Sequence, residues 1–151
     1  AVLVYNVSGK PASCSVSAGD IYDLPAGSYY CYDRKTGRGT LLEDGESLPV
    51  SLEADEFALY LLLPVTDGGA LVGVTDKYVS FLGIDRTQKT EKGFWAVIKE
   101  GGTFAFYCPT GVKRCLVDGK DVTATLQEAD RLYRISCAKE GETMILVEEE
   151  E

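Results

Sequence analysis

The sequence predicts an all-β fold, an antiparallel β-sandwich with a second β-rich unit packed on it or extending it. Turn signals recur along the 151 residues, among them Asp44-Gly45 and Asp118-Gly119. Glycine supplies the positive φ that tight turns need, and aspartate tolerates it. The stretches between the turns are rich in Val, Ile, Tyr, Phe and Leu, as is typical of strands. No segment of ten or more residues repeats apolar side chains at helical spacing.

These stretches predict about eleven short strands, an arrangement that indicates a sandwich. They lie at residues 2–7, 28–33, 47–52, 57–63, 78–84, 94–99, 103–108, 113–117, 122–126, 131–137 and 144–147. Residues 57–63 read Phe-Ala-Leu-Tyr-Leu-Leu-Leu and are apolar on both faces. Such a strand is expected to be central in its sheet and covered on two sides. Pro64 ends it, because proline has no N–H for the ladder.

A glycine-rich turn at residues 65–69 follows this strand and marks a boundary. We expect residues 1–65 to form one antiparallel sandwich unit and residues 66–151 a second β-rich unit, with one continuous domain as the alternative. A chain of this length buries roughly 70% of its unfolded surface, so it needs no metal or disulfide to fold. The acidic residues 148–151 are expected to form a frayed, solvated tail.

The net charge and the cysteine content limit the kinds of partner and the cellular compartment that the sequence predicts. The net charge of −9 argues against nucleic acid, and no apolar run approaches the roughly 20 residues that span a bilayer, which argues against a membrane. The five cysteines are an odd number and form no C-x-x-C pair. They predict free, mostly buried thiols rather than zinc ligands or disulfides, and a reducing, cytoplasmic location.

The chain contains no histidine, which removes Ser-His-Asp and Cys-His catalysis and the commonest metal ligand. Paired carboxylates can perform acid–base chemistry on a sugar, and Glu43 with Asp44 is one such pair. These acids lie in turn-like sequence, however, where solvated surface positions are expected. The sequence therefore predicts no catalytic residue, no metal site and no cofactor in this chain, and it leaves open whether the chain belongs to an enzyme.

Aromatic residues are the more informative group, with nine Tyr, five Phe and one Trp. In a strand, Tyr30 and Tyr32 share one face and Tyr29 lies on the other. An exposed Tyr or Trp ring can stack on the apolar face of a sugar. The candidate carbohydrate-binding residues are therefore Tyr29, Tyr30, Tyr32 and Trp95. The alternative interpretation, which we favour for all four, is that they fill a core or an interface.

Four blocks of sequence occur in an order that resembles a known family. They are LPVSLEADEFALYLLLPV (48–65), VGVTDKYVSFLGI (72–84), EGGTFAFYC (100–108) and CLVDGKDV (115–122). Upstream, AVLVYNVSGK (1–10) and GSYYCYDRKTG (27–37) are similar to the start of the same region. The chain thus resembles the carboxy-terminal region of raffinose synthase-like proteins, within the glycoside hydrolase family 36 group of α-galactosidases and galactosyltransferases.

In that family, an amino-terminal β-domain and an (α/β)8 barrel precede this region, and two barrel aspartates perform the chemistry. No stretch of this chain matches the barrel motifs, so no catalytic residue is carried over. The resemblance implies a non-catalytic accessory domain that covers the flank of the parent's barrel and supports oligomer contacts, in an enzyme that processes α-galactosides. Two alternatives stay open: an autonomous carbohydrate-binding module, and a structural or interaction β-sandwich.

Overall fold

The computed structural model describes residues 1–67, 69–137 and 140–150, and these residues form an all-β fold, as the sequence predicts. The strands are β1 Val2–Tyr5, β2 Ala12–Ser17, β3 Tyr29–Asp33, β4 Gly39–Leu42, β5 Ser47–Leu52, β6 Phe57–Pro64, β7 Ala70–Val74, β8 Ile84–Thr90, β9 Gly93–Ile98, β10 Gly102–Tyr107, β11 Val112–Val117, β12 Lys120–Asp121, β13 Gln127–Ala129, β14 Leu132–Cys137 and β15 Thr143–Glu149. Short 3-10 helices occupy Ala18–Asp20, Ser80–Gly83 and Thr123–Thr125. The chain divides into two compact units, Ala1–Thr66 and Asp67–Glu151.

The first unit is a small antiparallel sandwich. Its four-stranded sheet has the order β1-β6-β3-β4, and its second sheet pairs β2 with β5. Side chains from both sheets meet in one core, which consists of Val16, Tyr29, Cys31, Leu42, Val50, Leu52, Ala58, Tyr60 and Leu62. The sandwich therefore follows from alternation, because every second residue of β3 and β6 points into this core.

Strand β6 has the central position that its composition predicts. It pairs with β1 on one side and with β3 on the other. Leu62 points into the core, whereas Leu61, on the opposite face of the strand, is 0% exposed. The prediction that residues 57–63 are central and covered on both faces is confirmed, and the strand ends at Pro64.

The second unit is also built from two antiparallel sheets, in the orders β13-β14-β10-β7 and β12-β11-β15-β9-β8. Its core is rich in aromatic rings. Phe94 meets Phe106 edge to face at a centroid distance of 5.2 Å, and Phe106 stacks on Tyr133 at 5.5 Å. Phe94 and Phe106 come from opposite sheets, so their contact joins the two layers, whereas Phe106 and Tyr133 are cross-strand partners within one sheet.

Two of the predicted strands are wrong. Residues 78–84 and 122–126 contain the 3-10 helices Ser80–Gly83 and Thr123–Thr125 instead. Side-chain hydrogen bonds favour these turns: Ser80 Oγ donates to the carbonyl oxygen of Val72, and Thr123 Oγ1 accepts a hydrogen bond from the Cys115 amide at 2.8 Å. Apolar content alone does not separate such turns from strands.

The acidic end is also ordered differently from the prediction. Glu148 and Glu149 belong to β15, and Lys89 pairs with Glu149 at 2.8 Å. The Glu149 amide donates to the carbonyl oxygen of Lys92. Strand pairing and the lysine partner thus hold this acidic segment in the sheet, while residue 151 lies outside the described residues. No helix in the described part of the chain is long and apolar enough to cross a bilayer.

Candidate functional site

The tyrosine run of β3 lies in the interior. Tyr29, Tyr30 and Tyr32 are 3%, 1% and 2% exposed. Tyr29 Oη donates to the carbonyl oxygen of Pro25 at 2.6 Å. The Tyr30 ring lies directly over Gly39, where an added Cβ would come within 2.2 Å of Tyr30 Cζ. The rings therefore have no open face for a sugar, and their placement agrees with the alternative interpretation of these residues as interior.

Trp95 lies in a different environment from the tyrosines. Its neighbours Phe94 and Ala96 point into the core of the second unit, so Trp95 lies on the outer face of the five-stranded sheet. There it is half-buried and opposes Gln88 on β8 and Leu146 on β15. The indole is thus partly accessible.

The register of the sheet extends this arrangement into a row across all five strands. The row consists of Gln88, Trp95, Leu146, Leu116 and Asp121, which we call the Trp95 row. Neighbouring strands lie about 4.8 Å apart, so the row spans about 19 Å. At its far end Asp121 Oδ2 accepts a hydrogen bond from Arg114 Nε at 3.1 Å. The row therefore combines an aromatic ring and an apolar centre with hydrogen-bonding groups at both ends.

Three of the buried thiols do not have the properties of nucleophiles. All five cysteines are free, and four of them, Cys31, Cys108, Cys115 and Cys137, are buried while Cys14 is exposed. Burial, with a smaller contribution from Asp33, raises the pKa of Cys31 to about 11. Burial also raises the pKa of Cys115 to about 12 and that of Cys137 to about 11. These three side chains therefore stay protonated near neutral pH, whereas the reactive form of cysteine is the thiolate. The prediction of free, mostly buried thiols is confirmed.

The carboxylates are placed as surface groups. A hydrogen bond from Lys35 lowers the pKa of Glu56, and hydrogen bonds from Thr123 are the largest cause of the lowered pKa of Asp121. A general acid needs the opposite, a pKa raised toward neutrality by burial. Within the described ranges, no group of three or more Cys, Asp or Glu side chains is arranged to hold a metal ion.

Asn6, the first residue of an Asn-Val-Ser sequence, has a structural role. It is buried, and its Nδ2 donates to the carbonyl oxygens of Lys10 at 2.8 Å and Glu53 at 2.9 Å. Its Oδ1 accepts a hydrogen bond from the Ser8 amide at 3.0 Å. The amide therefore ties the end of β1 to two loops, and glycosylation of this nitrogen would require these contacts to break.

Two open clefts lie on the molecule, one beside β1 and one at the end of β15. One, of about 200 Å³, lies beside β1 and is lined mainly by small or apolar residues, with Cys14 in its wall. The other, of about 240 Å³, is lined by Lys89, Lys92, Lys113 and acidic residues of the β15 end. In the second cleft the opposite charges of Lys89 and Glu149 satisfy each other. Neither cleft brings together an acid, a base and a nucleophile.

Trp95 could be identified as a candidate from the sequence, but the other members of its row could not, because their alignment depends on strand register. Leu146 and Gln88 are 51 and 7 positions from Trp95 in the chain, and only the pairing of β8, β9 and β15 brings them together. Alternation around Trp95 was the one available signal, since Phe94 and Ala96 indicate which face is buried. No protein-family model matches the chain, and a search of curated proteins gives no significant match.

Proposed function

We propose that this chain is a non-catalytic β-sandwich accessory domain of a family 36-type α-galactosidase or raffinose synthase-like enzyme. The observation that carries the proposal is the ordered series of sequence blocks that resembles the carboxy-terminal region of that group. The raised pKa values of Cys31, Cys115 and Cys137 and the surface placement of the acids are compatible with a domain whose parent performs the chemistry elsewhere. Its role would be to cover the flank of the parent's barrel and to support contacts between enzyme copies.

The resembling blocks coincide with segments that build the two sandwiches. Residues 48–65 contain most of β5 and all of β6, and residues 100–108 contain β10 of the second core. Residues 115–122 contain the β11–β12 hairpin, whose turn residues Asp118 and Gly119 have φ values of 49° and 78°. Two positive φ values in a two-residue loop are the hallmark of a type I′ turn. The resemblance therefore concerns the residues that determine the fold, as expected for a domain retained for its structure.

We expect this chain alone to show no turnover of nitrophenyl α-galactoside, because none of its carboxylates matches the family's catalytic motifs. The assay should be run beside a second test, the coding sequence that precedes residue 1. A barrel with paired aspartates in the same reading frame would support the proposal. An unrelated preceding domain would contradict it. So would α-galactosidase activity that survives purification and disappears when a single Asp or Glu is substituted.

A carbohydrate-binding module is the second candidate, and the Trp95 row is the observation that favours it. The half-buried indole lies on an outer sheet face, where a sugar ring can approach it and stack. Gln88 on one side of the ring, and Asp121 with Arg114 at the far end of the row, supply donors and acceptors for sugar hydroxyls. This candidate does not require a parent enzyme.

If the Trp95 row binds sugar, galactose or raffinose should change the fluorescence of Trp95 in a saturable way. Trp95 is the chain's only tryptophan, so the signal reports directly on the row. Calorimetry should then show binding that Trp95→Ala abolishes. Tyr78→Ala is a matched control, since it removes an exposed ring elsewhere in the same unit and should leave binding unchanged. The candidate fails if neither sugar produces a saturable signal, or if both variants weaken binding equally.

A further inference from the structure

Strand β1 leaves one backbone edge open. It lies at the end of its sheet and, among the residues that the structure describes, pairs with β6 alone. Just after the strand, the Asn6 amide donates to the carbonyl oxygen of Glu56 at 2.9 Å, on the β6 side. In an antiparallel pair the direction of these groups alternates from residue to residue. Val2 and Val4 therefore direct their N–H and C=O groups toward β6, whereas Leu3 and Tyr5 direct theirs toward the open edge.

This edge, like those of β2, β4 and β7, lacks the charged side chains or proline that protect four other edge strands of the molecule. Natural sheets protect their edges with charged side chains or proline. Such residues occur in four other edge strands, as Arg86 in β8, Lys120 in β12, Glu128 in β13 and Pro49 in β5. Residues 1–9 contain no charged side chain and no proline. By this criterion β1 is available for pairing.

The side chains beside the open edge are apolar and exposed. Leu3, Tyr5 and Phe57 are 65%, 53% and 58% exposed, and the pairing of β1 with β6 places all three on the sheet face that points away from the core. Val7 is exposed directly after the strand. A contiguous apolar patch next to unpaired backbone groups is a typical site of protein association.

We propose that β1 forms a homodimer contact, in which two copies of the chain pair their β1 strands antiparallel about a two-fold axis at Val4. This register places Leu3 of each copy directly opposite Tyr5 of the other. The outward N–H and C=O groups of these residues then form four hydrogen bonds across the axis. Leu3, Tyr5 and Phe57 of both copies become neighbours on one continuous sheet face. This inference does not depend on the proposed function.

A second copy is the partner that the backbone geometry of the edge favours, and the uncharged strand permits its approach. Each chain carries a net charge of −9, so two copies repel each other over most of their surfaces. The uncharged β1 strand allows close approach without an unpaired charge at the contact. An antiparallel edge is also self-complementary, because each strand offers the donors and acceptors that the other needs. Added salt should strengthen the dimer by screening the remaining repulsion.

Sedimentation equilibrium of the purified chain tests this contact. The weight-average mass should rise with concentration from 16.4 kDa toward twice that value, and further at higher salt. Leu3→Pro removes a donor of the open edge while leaving the Val2 and Val4 bonds to β6, and it should abolish the rise. Leu41→Pro is the matched control on β4, the opposite edge, where it should leave the dimer intact.

Hydrogen exchange gives a second measurement that needs no variant. The amides of Leu3 and Tyr5 should become protected as the concentration rises, whereas the amide of Leu41 on the opposite edge should not. A mass of 16.4 kDa at every concentration, in low and high salt, would overturn the proposal. A dimer in which Leu3 and Tyr5 exchange at the monomer rate would also overturn it, because the contact would then lie elsewhere.

Discussion

Replacing Leu61 by alanine is expected to lower the free energy of unfolding by about 2–5 kcal/mol, the range for a buried leucine that leaves a cavity. Leu61 is 0% exposed and lies in the middle of β6, between Tyr32 on β3 and the β1 side of the sheet. Backbone pairing on both sides prevents the strand from moving inward to fill the space. Urea unfolding of the variant and the native chain measures the difference.

Leu82→Ala serves as the control for this measurement. Leu82 is 65% exposed in the 3-10 helix Ser80–Gly83, so its truncation should change the stability by no more than about 0.5 kcal/mol. Equal and small losses in the two variants would show that β6 is not the buried centre of its sheet. A change in the slope of the unfolding curve would point instead to a change in the denatured state.

Leu42 illustrates the limit of sequence patterns at short strands. Its position between a glycine-rich turn and Glu43-Asp44-Gly45 predicts an edge or loop site, where truncation costs much less than at Leu61. Leu42 does lie in an edge strand, β4, but its side chain is buried in the first core, so it is not the loosely packed position that the sequence predicts. A four-residue strand is too short to show alternation clearly, and the adjacent charged turn makes Leu42 look like a surface residue in the sequence.

Strands with an apolar or alternating pattern were predicted more successfully than polar or very short ones, and the mostly exposed strands β2 and β8 were missed. β6 has eight residues, so its apolar character on both faces is visible in the sequence, as is the alternation of Tyr133, Ile135 and Cys137 in β14. β12 has two residues and β13 has three, and the pairing of each depends on a partner strand. Their existence is therefore determined by tertiary contacts and not by local pattern.

The same reasoning applies to the candidate sites. The sequence identified aromatic residues as the important group, yet it could not distinguish the buried ring of Tyr30 from the half-buried indole of Trp95. Tyr30 is covered partly because Gly39, a residue without a side chain, lies under its ring. That contact joins two strands and depends on their register. Composition determines which residue types are available, and register determines which of them remain accessible.

Replacing Gly73 by alanine is expected to destabilise the second unit strongly. Gly73 lies in β7 with φ of 91°, beside the irregular register between β7 and β10. An added Cβ would lie 2.3 Å from the carbonyl oxygen of Ser80 and 2.6 Å from its carbonyl carbon. These are backbone atoms of a fully buried residue, so a side-chain rotation cannot relieve the clash.

Gly45→Ala separates the clash from the strain of the backbone. Gly45 also has a positive φ, 82°, but an added Cβ would meet nothing within 4 Å. The Gly45→Ala variant should therefore have a free energy of unfolding lower by only roughly 1–2 kcal/mol, which is what the left-handed region costs a residue with a Cβ. Gly73→Ala must in addition displace the helix Ser80–Gly83, and we expect a total loss above about 4 kcal/mol, in the range that marks a specific structural defect.

Denaturation midpoints of the two variants measure the comparison, and a Gly73→Ala chain recovered only in unfolded form would meet the expectation if Gly45→Ala folds. Equal midpoints would show that the 3-10 helix can move away from β7 at little cost, and that the close approach at Gly73 does not determine how this segment packs.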